Sequence, residues 1–385
     1  MKRISLIAIM ALMGIGSVAA KSSTTLPIVG EVVKATNPLI QYVGRVSFAK
    51  NEMASFNFPG TSIFARFQGS SLKMICRPMT GYFMAQVDGC EPFKVGFNAE
   101  RDSVVTVAAA LPKGEHQVKL MYVIEGLFRT PEFRGFVLDK GCSLVKSSDL
   151  PERKIEFIGN SITCGYGVES IEMTDPFEDE TENHWLTYAN IVSDSLNAQH
   201  TSISRSGIGV YRNYDGPKAG SDENMPWQYE YTLFNKHDEK WGFNKYQPQL
   251  VCINLGTNDL STNNYDIALY EKNYRMFLTT VRSKYPNAKI VLITGPMLGE
   301  KESGEQREVL DRICSDANKK GFTLPEEVRK VRKGKNKGDK DIYRFDFTFQ
   351  TGDLGYGASW HPSKLQHQKM ADELLPFLRN LMGWE

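Results

Sequence analysis

The pattern of hydrophobic and polar positions divides the chain near residue 150. Before that point, short β-type runs alternate with turn residues such as Gly69-Ser70 and Asp88-Gly89. Turns at such short intervals join neighbouring strands, so this pattern is typical of an all-β antiparallel sandwich. The strands predicted in this part lie at 63–67, 72–76, 104–107 and 117–123.

After residue 150 the pattern changes to strand-like segments that alternate with helices. Apolar side chains recur at helical spacing, for example from Ile267 to Val281. Strands that alternate with helices form right-handed crossovers, which predicts a three-layer α/β domain around a mostly parallel sheet. Ligands of such sheets bind beyond the carboxyl ends of the strands, so motifs that directly follow a strand are candidates for chemistry. The strands predicted in this part lie at 154–158, 201–204, 250–255, 289–294 and 342–345.

The N-terminus has the pattern of a secretory signal peptide. Lys2 and Arg3 precede an apolar run that ends at Ile15, and small residues follow up to Ala20. This order of charged, apolar and small residues directs export, so we expect cleavage after Ala20 and a periplasmic or extracellular protein. The predicted organisation is a signal peptide over 1–20, a β-sandwich domain over 21–149 and an α/β domain over 150–385.

Composition and charge narrow the class of function. The chain has 385 residues, with 46 Lys and Arg against 45 Asp and Glu. This near-zero net charge argues against a nucleic-acid partner. The body of the chain has no run of about 18 apolar residues, so we expect no transmembrane helix. The six cysteines and six histidines lack zinc-site spacings, so we expect no metal. Nothing in the sequence indicates the oligomeric state.

Polar residues follow four of the predicted parallel strands. Ser161 lies in a glycine-rich turn after the first, Asn258 in a GTND turn after the third, and His361 in a WHPS loop after the fifth. Because these strand ends meet at one edge of the sheet, the three side chains can serve as nucleophile, oxyanion donor and general base. Gly207, after the second strand, can complete an oxyanion hole with its N–H, beside the Ser161 N–H and the Asn258 amide. Each motif read alone is equally typical of an ordinary turn.

Together these motifs resemble the SGNH (GDSL-like) hydrolases, with Ser161, Gly207, Asn258 and His361 in the family's blocks. More narrowly, GNSITCGYG, SRSGIGVYRNY, LGTNDLS and WHPS behind a β-domain are similar to carbohydrate esterase family 2. The resemblance implies a jelly-roll-like domain before a flavodoxin-like SGNH domain. It also implies a serine acyl-enzyme mechanism without a cofactor. The implied partner is an acetylated carbohydrate, such as xylan or glucomannan, from which O-acetyl groups are removed.

Two positions depart from the family pattern. Asn160 stands where the family usually has Asp; an amide keeps one acceptor oxygen, so we expect the geometry to survive. Most SGNH hydrolases have Asp three residues before the histidine, where this chain has Ala358. The imidazole of His361 then needs another group to fix its tautomer and orientation. A backbone carbonyl can do this, and Asp353 is the nearest upstream carboxylate.

Residues near these motifs are candidates for the rim of the site. Tyr211, Trp227 and Trp360, together with Tyr214, are candidates for sugar contacts, because an aromatic face buries the apolar side of a pyranose. Packing alone also explains each of these side chains. The acidic segment 169–182 is interpreted as a solvated loop.

Two other functions remain open. One is an SGNH lipase or thioesterase that acts on longer acyl chains. The other is a glycan-binding protein whose hydrolase domain is inactive, a hypothesis that rests on the missing Asp near His361.

Overall fold

The computed structural model describes residues 28–322 and 339–385, except residues 51, 102, 130 and 263. The predicted signal peptide over 1–20 lies outside the described residues. Within the described part, none of the helices is both long and apolar enough to cross a membrane.

Two antiparallel sheets form the N-terminal part of the chain. Their strands are β1 (Glu31–Lys34), β2 (Gln41–Val43), β3 (Ala54–Ser55), β4 (Ser62–Gly69), β5 (Leu72–Cys76), β6 (Gly81–Val87), β7 (Phe93–Phe97), β8 (Ser103–Ala108), β9 (Gly114–Tyr122), β10 (Glu132–Leu138) and β11 (Leu144–Val145). One sheet has the order β1-β10-β5-β8, with β3 paired to β10. The other has the order β11-β4-β9-β6-β7, with β2 paired to β4. The predicted antiparallel sandwich is confirmed, and its four predicted strands correspond to β4, β5, β8 and β9.

Side-chain alternation accounts for the core of the sandwich. In β4, Ile63, Ala65 and Phe67 are buried in the core of the sandwich, whereas Phe64 and Arg66 point to its outer face. Successive residues of a strand point to opposite sides, so a strand of this pattern has one apolar and one mixed face.

A five-stranded parallel sheet forms the centre of the C-terminal part. Its strands are β12 (Arg153–Gly159), β13 (Ala198–Ser204), β16 (Leu250–Asn254), β17 (Lys289–Thr294) and β18 (Ile342–Asp346), and a separate hairpin contains β14 (Tyr231–Leu233) and β15 (Lys236–Lys240). The sheet order β13-β12-β16-β17-β18 is that of flavodoxin-like folds. All five strands predicted from their apolar runs are confirmed.

Helices cover both faces of the parallel sheet. They are α1 (Ser161–Cys164), α2 (Tyr188–Ser195), α3 (Met225–Gln228), α4 (Thr257–Leu260), α5 (Ile267–Lys284), α6 (Glu300–Lys320) and α7 (Lys364–Met382). One face of the sheet packs against α5 and α6, where Tyr274 and Phe277 contact the core. The other face packs against α2 and α7, through residues such as Val192 and Leu374. The predicted three-layer architecture is therefore confirmed.

Arg45 joins the two parts of the chain. Its side chain is 1% exposed, and it donates to the carbonyl oxygens of Tyr229 (2.6 Å) and Tyr231 (2.7 Å). The guanidinium also lies 5.0 Å from the ring centre of Tyr229 and 5.5 Å from that of Trp241. Aromatic faces attract a cation, so this cage compensates in part for removing the charge from water.

Candidate active site

The structure brings together Ser161 and His361, which are 200 residues apart in the chain. The Ser161 Oγ lies 2.8 Å from the Nε2 of His361. Ser161 directly follows the turn that ends β12, and His361 lies before α7, so both are at the carboxyl edge of the sheet. A serine within hydrogen-bond reach of an imidazole nitrogen is the arrangement of an activated nucleophile.

The turn after β12 places Ser161 in the first position of α1. The Asn160 Oδ1 accepts a hydrogen bond from the Ile162 N–H at 3.0 Å and caps the helix. Gly159 makes the turn tight, since a Cβ at this position would lie 2.0 Å from the Thr163 Oγ1. The expected geometry therefore survives with Asn160 in place of Asp.

A backbone carbonyl orients the imidazole of His361. The Nδ1 of His361 lies 3.0 Å from the carbonyl oxygen of Ala358. With the proton on Nδ1, this contact is a hydrogen bond from His361 to Ala358, and Nε2 is free to accept the Ser161 proton. Between them, Ser359 and Trp360 have φ angles of 50° and 58°. These left-handed conformations are uncommon for non-glycine residues and turn the chain so that the carbonyl of Ala358 faces the ring.

Asp353 does not hold the imidazole. The Asp353 carboxylate accepts a hydrogen bond from the Thr351 hydroxyl at 2.8 Å, and the Nδ1 of His361 already contacts the Ala358 carbonyl. Of the two groups that the sequence left open, the structure therefore favours the backbone carbonyl. The prediction of Asp353 as the orienting acid was wrong because the Ala358 carbonyl contacts the Nδ1 of His361, and the Asp353 carboxylate bonds with Thr351 instead.

Burial lowers the pKa of His361 to about 4, although its contacts with the backbone at Ala358 and Ser359 act in the opposite direction. The imidazole is therefore neutral around neutral pH and able to accept a proton.

The ring of Tyr166 stacks on the His361 imidazole with 4.1 Å between the ring centres and 26° between the planes. The ring of Phe177 packs against that of Tyr166 with 4.5 Å between the ring centres, so the histidine belongs to a small aromatic cluster.

Gly207 and Asn258 follow the neighbouring strands, as the sequence predicted. Gly207 has a φ of 74°, and no atom lies within 4 Å of where its Cβ would be. The Asn258 Nδ2 donates one hydrogen to the carbonyl oxygen of Ile208 at 2.8 Å. This bond ties Asn258 to the loop of Gly207 and leaves the second Nδ2 hydrogen for another acceptor.

Asp259 holds the same loop from inside the domain. Its carboxylate accepts the N–H groups of Val210 (3.0 Å), Tyr211 (2.8 Å) and Arg212 (3.1 Å). Burial raises the pKa of Asp259 to about 6, and the three hydrogen bonds oppose that rise. The carboxylate fixes three consecutive peptides of the loop that carries Gly207.

Sequence reasoning missed Asp259 and Tyr166 as parts of the site. Their signal was their place inside the quoted motifs, directly after Asn258 and between Gly165 and Gly167.

One of the aromatic residues predicted for sugar contacts is buried. Tyr211 is 1% exposed, and its hydroxyl accepts the N–H of Asp266 at 2.8 Å. The Tyr211 prediction was wrong because proximity in sequence to Gly207 does not imply an open face. Trp227 is partly buried and packs on His237 and Tyr231, so its role in sugar contacts stays a prediction.

Two other aromatic residues are exposed beside the site. Trp360 is 53% exposed and directly precedes His361. Tyr214 is 61% exposed, and its N–H donates to the carbonyl oxygen of Gly207 at 2.8 Å. These two rings can present a face to a substrate.

The acidic segment 169–182 is only partly the solvated loop that was expected. Glu169 forms an ion pair with Lys94, and Asp179 forms one with Arg129. Both basic residues come from the N-terminal part of the chain. Glu182 is fully buried. Through these ion pairs and this burial, the segment packs between the two domains.

The fold and the serine–histidine pair define a hydrolase of the GDSL-like class. Residues 155–374 match the family described as GDSL-like lipase/acylhydrolase, and residues 42–147 match the carbohydrate esterase 2 N-terminal family. The chain belongs to carbohydrate esterase family 2, and by this membership it is a carboxylic ester hydrolase. The expected family and fold class are both confirmed.

Three relatives support this assignment. The chain is 34% identical over 351 residues to the cellulase/esterase CelE of Acetivibrio thermocellus, covering 90% of this chain and 40% of CelE. It is 26% identical over 358 residues to an acetylxylan esterase / glucomannan deacetylase of Cellvibrio japonicus, covering 91% of each protein. A family two carbohydrate esterase from Clostridium thermocellum, solved in complex with cellohexaose, is 33% identical, with a TM-score of 0.79 over 90% of this chain and 100% of that chain.

Proposed function

We propose that this protein removes O-acetyl groups from acetylated plant polysaccharides or oligosaccharides, such as xylan and glucomannan, by a serine acyl-enzyme mechanism. The observation that carries the proposal is the 2.8 Å contact between the Ser161 Oγ and the His361 Nε2. The name of the Cellvibrio japonicus relative supports the choice of substrate.

In the first step, the Nε2 of His361 takes the proton of the Ser161 hydroxyl as the Oγ attacks the acetyl carbonyl. The carbonyl oxygen becomes an oxyanion, which receives hydrogen bonds from the N–H groups of Ser161 and Gly207 and from the Asn258 amide. Preorganised donors of this kind stabilise the transition state by about 3 to 4 kcal/mol each.

The tetrahedral intermediate then collapses, and His361 returns the proton to the departing sugar hydroxyl. Water hydrolyses the acetyl-enzyme by the same route, with His361 acting again as base and then as acid. Acetate, formed from the acetyl group and the oxygen of this water, leaves, and Ser161 regains its proton from His361. Within this scheme the Ala358 carbonyl keeps the imidazole in the tautomer that both steps require.

We also propose the organisation expected from the sequence: an export signal over 1–20, a β-sandwich domain over 21–149 and a hydrolase domain over 150–385. The stretch between the end of β11 at Val145 and the start of β12 at Arg153 supports the boundary between the two domains. Export would bring the protein to polysaccharide outside the cytoplasm.

The experiment that tests this function is acetate release from acetylated xylan, acetylated glucomannan and 4-nitrophenyl acetate, with Ser161→Ala as the control. We expect release that depends on Ser161. A series of 4-nitrophenyl esters from acetate to octanoate separates this function from a lipase or thioesterase, since the proposal expects acetate to be preferred. Preference for octanoate, or glycan binding without hydrolysis of any ester, would overturn it.

A further inference from the structure

Glu125 from the N-terminal domain reaches the loop after β13 that carries Gly207, residues 205–214, which we call the oxyanion loop. It follows β9, is 4% exposed, and its Oε2 accepts the N–H of Ser206 at 2.6 Å. Ser206 directly precedes Gly207 in the chain. A carboxylate that accepts a backbone N–H makes a shorter and stronger hydrogen bond than a neutral acceptor does.

The segment around Glu125 is itself fixed to the hydrolase domain. The carbonyl oxygen of Val123 accepts the N–H of His184 at 2.9 Å, and the Glu182 carboxylate accepts the N–H of Glu125 at 2.9 Å. On its other side, the Gly126 N–H donates to the Asn57 carbonyl oxygen at 2.9 Å. The Glu125 carboxylate therefore projects from a rigid strand extension.

Glu125 and Glu182 form a buried pair of acids. Burying two acids together lowers the free energy of unfolding, so a structural role alone does not explain the pair. Burial and the neighbouring Glu125 raise the pKa of Glu182 well above its usual range. Burial also raises the pKa of Glu125, but the hydrogen bonds from Ser206 and the nearby Arg205 oppose the rise. The pKa of Glu182 is therefore raised further than the pKa of Glu125, whose carboxylate is stabilised by the Ser206 N–H.

We propose that Glu125 is a positioning residue of the hydrolase site, which holds the Ser206 peptide so that the Gly207 N–H points at the oxyanion. The inference rests on the serine esterase function proposed above. Fixing the peptide between residues 205 and 206 limits the rotation of the next peptide, which carries the Gly207 N–H. Asp259 fixes residues 210–212 from the hydrolase domain, and Glu125 fixes the other end of the loop from the β-domain.

The test compares Glu125→Ala with Glu125→Gln in the full chain. The alanine variant loses the acceptor, so we expect kcat for 4-nitrophenyl acetate to fall by about 10²-fold with little change in KM, as for an interaction made only in the transition state. The glutamine variant keeps an acceptor oxygen and should retain most of kcat. Because either change removes one member of a buried acid pair, we expect both proteins to remain folded.

Glu156 offers a matched control. It is also a buried glutamate, and it accepts the hydroxyl groups of Tyr229 (2.6 Å) and Tyr285 (2.8 Å) away from the oxyanion loop. Glu156→Gln should lower the melting temperature and leave kcat close to the wild-type value. This contrast separates a loss of stability from a loss of positioning.

Amide hydrogen exchange supplies a readout that does not depend on activity. Peptides that cover residues 205–214 should exchange faster in Glu125→Ala than in the wild type, and Glu125→Gln should resemble the wild type. The proposal would be overturned if Glu125→Ala kept its kcat, if both Glu125 variants lost it equally, or if exchange in 205–214 did not change. If instead the wild type released no more acetate than Ser161→Ala, the esterase function would fall, and the exchange data would still decide whether Glu125 holds the loop.

Discussion

At the scale of single residues, the proposed site is a serine–histidine dyad completed by a backbone carbonyl. The Ala358 oxygen contacts the Nδ1 of His361 at 3.0 Å, where most SGNH hydrolases have a carboxylate three residues before the histidine. A neutral carbonyl fixes the tautomer without adding a negative charge beside the ring. In the proposed mechanism, the imidazolium of His361 is therefore stabilised less than it would be by a carboxylate.

The low pKa of His361 predicts the pH dependence of the reaction. In the proposed mechanism the neutral imidazole is the base, and burial lowers its pKa to about 4. As the pH falls, kcat/KM for 4-nitrophenyl acetate should therefore stay constant through the usual histidine range and decline only around pH 4. A decline centred on the ordinary histidine value of 6.5 would show that burial does not lower the pKa of the base.

A substitution of Asp353 tests whether the Ala358 carbonyl, and not this carboxylate, orients His361. Its carboxylate bonds with Thr351 rather than with His361, so Asp353→Asn should keep kcat and KM close to their wild-type values. Steady-state kinetics with 4-nitrophenyl acetate measure both constants. Replacing the Asp of a triad lowers kcat by about 10⁴-fold, so a loss of that order would make Asp353 the orienting acid after all.

At the scale of the elements, each part of the site lies in a segment that follows the carboxyl end of a parallel strand. Ser161 follows β12, Gly207 follows β13, Asn258 follows β16 and His361 follows β18. No helix begins directly after β13. The side chains of Asn258 and Asp259 hold the later part of this loop, at Ile208 and at residues 210–212.

Asp259→Asn tests the support of this loop. An amide offers one acceptor oxygen and places an N–H₂ group against a backbone donor, so three N–H groups cannot all be satisfied. We expect a loss of about 1.5 to 3 kcal/mol in the free energy of unfolding, as for a hydrogen bond to a charged group. We also expect a lower kcat, because the loop carries Gly207. Urea unfolding and steady-state kinetics measure the two effects.

The control for this variant is Asp266→Ala. Asp266 also accepts backbone N–H groups, those of Ala268 and Leu269 at the start of α5. Loss of this helix cap should reduce the free energy of unfolding by about 1 kcal/mol and leave kcat unchanged. Equal losses of kcat in the two variants would mean that the effect of Asp259 is a general loss of stability.

The strands and the Ser161–His361 contact were predictable because their signals are local. The run 250–255 is apolar except for Asn254, as expected for a strand covered on both faces. Ser161 lies in a motif that directly follows β12, and His361 lies in a motif between β18 and α7. The Ala358 carbonyl was not predictable as the partner of His361, because every residue has a backbone carbonyl and the residue type does not indicate which one is used. Tyr211 lies beside the Gly207 motif, but its burial depends on packing of distant segments.

At the scale of the whole molecule, side chains of the β-sandwich contact the hydrolase domain at several points. Arg45 lies in the aromatic cage that includes Tyr229 and Trp241, and Lys94 forms an ion pair with Glu169. Glu125 adds a contact with the oxyanion loop itself. Contacts between domains join residues far apart in the chain, so the sequence pattern could indicate two domains but could not indicate which residues connect them.

Arg45→Ala tests the connection. The substitution removes two charge-assisted hydrogen bonds and leaves the carbonyl oxygens of Tyr229 and Tyr231 buried without this donor. We expect the free energy of unfolding to fall by at least about 3 kcal/mol. Arg45→Lys keeps the charge but not the planar guanidinium, so its free energy of unfolding should lie between those of the wild type and Arg45→Ala. Denaturant unfolding measures the change, and an unchanged midpoint in Arg45→Ala would contradict the role of this residue in joining the domains.

The most direct test of the central claim is detection of the acyl-enzyme on Ser161. The protein is mixed with 4-nitrophenyl acetate, quenched in acid within one turnover, digested and analysed by mass spectrometry. The acyl-enzyme mechanism predicts a single added acetyl group on the peptide that contains Ser161, and its absence in Ser161→Ala. Acetate release without an acetylated Ser161 peptide, and at the same rate in Ser161→Ala, would contradict it.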